Sequence, residues 1–82
     1  MAGQRYALRV PDLGDIGPIH LSLWLVEEGD SVQAGDRVVE LLAGAATYDL
    51  ASPVAGNLSS CLVDENQEVY PGQTLGWIDG EE

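Results

Sequence analysis

The chain is 82 residues long and 45% hydrophobic, with 14 acidic side chains against three basic ones and a formal net charge of −11. That length supports one domain with a thin core, burying about 60% of the surface its unfolded chain exposes. The bases are Arg5, Arg9 and Arg37, with no lysine anywhere, so a phosphate-binding surface for nucleic acid is excluded and an anionic membrane disfavoured.

Met1 to Arg5 lead straight into Tyr6-Ala7-Leu8-Arg9-Val10, which alternates in the manner of a strand. Those first residues lack the apolar segment of a secretory signal, so none is expected, and no run nears the ~18 apolar residues of a membrane span. A soluble, cytoplasmic protein, or a piece excised from one, is expected. Leu21, Leu23 and Leu25 alternate with Ser22, Trp24 and Val26, a strand with two faces. Arg37-Val38-Val39-Glu40-Leu41-Leu42 forms another, followed by Thr47-Tyr48-Asp49-Leu50. Turn residues recur between these runs, among them Gly14-Asp15, Gly17-Pro18, Gly29-Asp30, Gly35-Asp36, Gly56-Asn57 and Pro71-Gly72. No segment between the breaks accommodates a helix of normal length. Short strands at this spacing predict an all-β sandwich or barrel.

An internal repeat sharpens that prediction. Shifted by 37 residues, Leu25-Val26-Glu27-Glu28 falls on Leu62-Val63-Asp64-Glu65, Val32 on Val69, Gly35 on Gly72 and Leu41 on Ile78. Nine of the thirty positions in 12–41 match those in 49–78, Asp12-Leu13 against Asp49-Leu50 included, where chance gives about two. Two such halves, about 6–43 and 46–79 of a single domain 1–82, are expected to pack with approximate two-fold symmetry. The result is two antiparallel sheets of about four strands, each half feeding both. Gly29-Asp30 and Asn66-Gln67 are then related turns, and Leu25 and Leu62 equivalent core positions. The halves meet at Ala43-Gly44-Ala45-Ala46, which predicts a tight, exposed hairpin with Gly44 supplying a positive φ.

These features resemble the lipoyl/biotinyl-domain family over roughly residues 6–79. Val10-Pro11-Asp12-Leu13-Gly14 is similar to the opening strand and loop of lipoyl domains, the swinging-arm modules of the acyltransferase components of 2-oxo acid dehydrogenase complexes. Trp24 to Val32 with Gly35-Asp36 resembles their second strand and following turn. Ala46 to Gly56 resembles the stretch after the modified lysine, and Gly72 to Ile78 the closing strand. The resemblance implies a flattened, quasi-symmetric barrel-sandwich. In the family an exposed lysine at the hairpin tip, usually in Asp-Lys-Ala, takes lipoate in amide linkage, and tethering raises the arm's local concentration. That tripeptide aligns with Gly44-Ala45-Ala46, so Ala45 stands where the acceptor would be. The Met-Lys-Met tip of biotinyl domains is equally absent. Neither lipoate nor biotin can be attached there, and no cofactor is expected.

The neighbouring residues separate a natural loss from a replaced lysine. The family's recognition glutamate, three residues before the lysine, aligns with Leu42, and its flanking aspartate with Gly44. The glycines sixteen before and eleven after are kept as Gly29 and Gly56. Loss of acceptor, flanking acid and recognition acid together favours a non-catalytic module that works through protein contacts. The rival is a swinging-arm carrier domain whose lysine has been replaced.

Of Leu41 and Leu42, alternation allows only one to face the core. The other either joins Leu13, Ile16, Gly44 and Ala45 in an apolar interaction platform or is capped by Leu13 or Ile16. A protein partner with a basic surface suits the acidic chain; nucleic acid and membrane do not. Other chemistry finds no support. Cys61 is alone, so neither a disulfide nor a thiolate cage is available. His20 reads as an ordinary strand residue, and the Asp64–Glu68 acidic run lacks EF-hand spacing. No nucleophile elbow accompanies His20, Asp49 and Ser52, and the Asp-Ser-Leu start of a phosphopantetheine helix is missing.

Overall fold

The alternation seen in the sequence becomes eight strands: β1 (Arg5–Arg9), β2 (Ile19–Trp24), β3 (Ser31–Val32), β4 (Arg37–Ala43), β5 (Ala46–Ala51), β6 (Gly56–Cys61), β7 (Glu68–Val69) and β8 (Thr74–Gly80). They are taken from a computed structural model that describes residues 4–80. The strands form two four-stranded antiparallel sheets, ordered β1-β8-β6-β3 and β5-β4-β2-β7. No helix occurs among the described residues. Each half of the chain contributes two strands to each sheet, as the repeat predicts.

The 37-residue shift carries β2 onto β6, β3 onto β7 and β4 onto β8, boundary for boundary. It also carries the turns. Gly29 (φ 94°) and Asn66 (φ 72°) occupy the same left-handed corner, open to glycine at no steric cost and to asparagine at little. The Gly29 N–H donates to the Leu58 carbonyl at 2.7 Å, and the Asn66 N–H to the Leu21 carbonyl at 2.7 Å, so each turn closes on the other half's strand. The first strand of each half obeys a different offset. β1 lies along β8 as β5 lies along β4, but Arg9 faces Thr74 where Ala51 faces Arg37. The segment between β1 and β2 is five residues longer than its counterpart between β5 and β6. Asp12 and Asp49 are therefore not equivalent, and that part of the sequence match is coincidental. At the far end the counterpart of the Ala43–Ala46 pair is Gly80 with Gln4, whose carbonyl accepts the Gly80 N–H at 2.7 Å.

Two apolar clusters make the core. One gathers Val10, Ile19, Leu21, Val39, Leu41, Ala43, Val63, Val69 and Leu75. The other gathers Leu8, Val32, Val38, Leu58 and Ile78. Trp24 packs against both, its indole N–H donating to the Val63 carbonyl at 2.9 Å. The expected core leucines Leu25 and Leu62 are equivalent but exposed, at 41% and 57%. The cause is a register shift between Leu21 and Leu23 against β4, matched by one between Leu58 and Ser60 against β8. Each shift turns the alternation over, so Val26 and Val63 point inward where the unbroken pattern put Leu25 and Leu62.

Candidate functional site

β4 and β5 pair as far as Ala43 and Ala46, leaving Gly44 and Ala45 as a two-residue turn. Gly44 has φ 60° and Ala45 does not take a positive φ, the requirement of a type II′ turn with glycine at its first central position. Residues 44–47 are exposed, while Ala43 is buried in the larger core cluster. The tip is thus fixed by an inward alanine and presents a hydrogen, a methyl group and backbone to solvent.

Leu41 is fully buried and Leu42 lies 39% exposed on the outer face of its sheet. There the cross-strand partners of Leu42 are His20 on β2 and Thr47 on β5, and His20 in turn pairs with Glu68 on β7. A second row on that sheet aligns Leu23, Glu40 and Asp49, the last held 3.2 Å from Arg37. Leu13 and Ile16 lie elsewhere. They come from the long β1–β2 loop, half-buried against the larger cluster. The Asp12 carboxylate steadies that loop by accepting the Gly14 N–H at 3.0 Å. Leu13 and Ile16 pack against the larger core cluster, to which Leu42 does not belong.

Gly56, which stands where the family keeps a glycine, pairs with Gly80 on β8. A Cβ added there would collide with the Asp79 carbonyl oxygen, so only glycine permits that approach. Glu28 and Glu65 have a role that sequence reading missed. Glu28 accepts the Cys61 N–H at 2.7 Å and Glu65 accepts the Trp24 N–H at 3.1 Å. Each turn thereby clasps the end of the opposite half's strand, and the signal was available: Glu28 and Glu65 match under the 37-residue shift. Burial, with the nearby Glu28 charge adding to it, raises the pKa of the Cys61 thiol and keeps it in its unreactive form. Among the described residues no group of three or more metal-ligating side chains converges, and no helix is long and apolar enough to cross a membrane.

Two small sheets related by a pseudo-dyad, with an exposed two-residue hairpin at the junction of the halves, define a module of the biotinyl/lipoyl kind. The chain belongs to the Biotin_lipoyl family (Biotin-requiring enzyme), whose model matches residues 6–78. It is similar to the dihydrolipoyllysine-residue acetyltransferase component of the pyruvate dehydrogenase complex of Azotobacter vinelandii, 35% identical over 68 residues. Those residues are 83% of this chain and 11% of that protein. Among solved structures it resembles part of a single-chain, multi-domain long-chain acyl-CoA carboxylase, with a TM-score of 0.78 and 26% identity, covering 95% of this chain and 7% of that one. It also shares the fold of the lipoyl domain of the 2-oxoglutarate dehydrogenase complex from A. vinelandii. The TM-score there is 0.75 at 17% identity, over 92% and 98% of the two chains. The chain spans between a tenth and a fifth of the length of the acetyltransferase relatives it matches.

Proposed function

We propose that this chain is a single lipoyl-type domain without a covalent arm, which works through protein contacts in, or in relation to, an acyltransferase-type multi-enzyme assembly. The observation that carries this reading is Ala45 at the hairpin tip, where the family bears its acceptor lysine, in a chain that has no lysine at all. Leu42, Gly44 and Ala45, with the half-exposed Leu13 and Ile16 of the β1–β2 loop, form the contact surface. The partner presents a basic surface to a domain of net charge −11, and the setting is cytoplasmic, apart from nucleic acid and membrane. The alternative is a swinging-arm carrier whose lysine has been replaced. The outward leucine at position 42, uncharged where a recognition glutamate is usual, weighs against it.

Intact-mass measurement tests the reading directly. Incubation with a lipoyl or biotinyl ligase, its acyl donor and ATP is expected to leave the chain's mass unchanged, and a stoichiometric adduct overturns the proposal. Ala45→Lys alone is expected to be lipoylated slowly or partially, because Leu42 and Gly44 still present the wrong surface. Efficient modification of that single variant selects the carrier reading instead.

A further inference from the structure

Two of the three basic side chains of this acidic protein, Arg5 and Arg9, lie on one strand, β1, at the outer edge of its sheet. Arg37, the third, is engaged with Asp49 at 3.2 Å. Arg9 has no ion-pair partner among the described residues. Arg5 lies 3.6 Å from Asp79 and 4.8 Å over the Trp77 ring, and remains well exposed. The two arginines are four residues apart on the same face of the strand, which places them about 13 Å from one another.

The backbone of β1 is half used. The Gln4 carbonyl and both polar groups of Val10 bond toward β8 and its preceding turn. In an antiparallel ladder the even-numbered residues then face β8, so the N–H and C=O groups of Arg5, Ala7 and Arg9 point out of the sheet. The strand lines a groove of about 560 Å³ together with Trp77, Leu50, Ala51 and Pro53. This groove lies by the end of β5 remote from the hairpin tip.

We propose that the free edge of β1, with Arg5, Ala7 and Arg9, is a docking site for an extended acidic protein segment that adds as an antiparallel strand. Edge strands template such addition, with main-chain bonds giving affinity and alternate side chains giving choice. The arginines select carboxylates four residues apart, with a small or apolar residue between them opposite Ala7 and beside Trp77. A second copy of β1 is selected against. Antiparallel self-pairing centred on Ala7 sets Arg5 directly opposite the other copy's Arg9, and like charges in that relation destabilise. The net charge of the domain repels an anion at long range, but over a screening length of about 8 Å the two guanidinium groups dominate the groove. The site is separate from the hairpin surface and stands whether or not that surface binds a partner.

The test is amide chemical-shift titration of the 82-residue chain with the peptide Val-Glu-Val-Thr-Val-Glu-Val, capped at both ends, against the same peptide with lysine in place of glutamate. The acidic peptide is expected to shift the amides of Arg5, Ala7, Arg9 and Ala51, and the lysine peptide to leave them in place. Arg9→Glu combined with Arg5→Glu is expected to weaken binding at least tenfold while circular dichroism stays unchanged. Arg9→Glu alone, which breaks no ion pair, is expected to weaken it several-fold and covers the case in which the double variant fails to fold. N-methylation of the acidic peptide along its pairing edge is expected to abolish the shifts. The proposal is overturned by no shift at millimolar acidic peptide, by equal binding of both peptides, by shifts centred on Gly44-Ala45, or by the same shifts from glutarate alone.

Discussion

Leu41 and Leu42 are chemically identical neighbours with opposite fates, and Leu25 shows how readily such fates are misassigned. Leu41 is wholly inside the larger cluster, so Leu41→Ala is expected to cost about 2–5 kcal/mol, a large share of the stability of so small a domain. Leu25, at 41% exposure, is expected to tolerate alanine within about 0.5 kcal/mol. Leu42→Glu is expected to keep the fold by circular dichroism and to weaken partner binding or self-association in sedimentation. Urea denaturation of the three variants checks the order, and a Leu25→Ala cost matching that of Leu41→Ala would contradict the geometry. Alternation alone showed that one of Leu41 and Leu42 faces out. It did not show that the leucine at 25 leaves the core, because Leu21, Leu23 and Leu25 keep perfect spacing while the backbone beneath them shifts register.

Those shifts belong to the strands and come in symmetric pairs, as do the turns that close them. Gly29-Asp30 and Asn66-Gln67 were legible as related turns because turn chemistry is local: a left-handed corner needs glycine or asparagine wherever it occurs. The longer β1–β2 loop was not legible, since a gapless shift of 37 found Asp-Leu at both 12–13 and 49–50 and matched a loop with a strand. The contacts of Glu28 and Glu65 were hidden for another reason. Their acidic turns read as solvated faces, and only the fold brings each carboxylate to a backbone N–H of the other half. Charge-assisted bonds of this kind at the surface support an expected loss of about 1 kcal/mol for Glu28→Ala or Glu65→Ala. Glu28→Gln, which keeps an acceptor, is expected to lose less. Chemical denaturation measures all three, and a glutamine variant as weak as the alanine one would assign the effect to charge rather than to the bond.

At the scale of the whole molecule the eight strands form two interlocked copies of one unit, and the Gly44-Ala45 turn sits at the seam between them. The fold was legible because every level agreed: period-two patterning, turn residues and the repeat each indicate paired sheets. The candidate site was legible only through the proposed alignment of Ala45 with an acceptor lysine, since a methyl group carries no chemistry of its own to read. The pairing of Gly80 with Gln4 has a further consequence. It mirrors the pair Ala43–Ala46 at the hairpin, so Gln4 and Gly80 meet as the two strands of that hairpin do. A circular permutant that joins the present ends through a short linker and opens the chain between Gly44 and Ala45 is expected to fold to the same sheets. Dispersed amide spectra and a cooperative thermal transition would show this, and a collapsed, non-cooperative product would mean that the hairpin is needed to start folding.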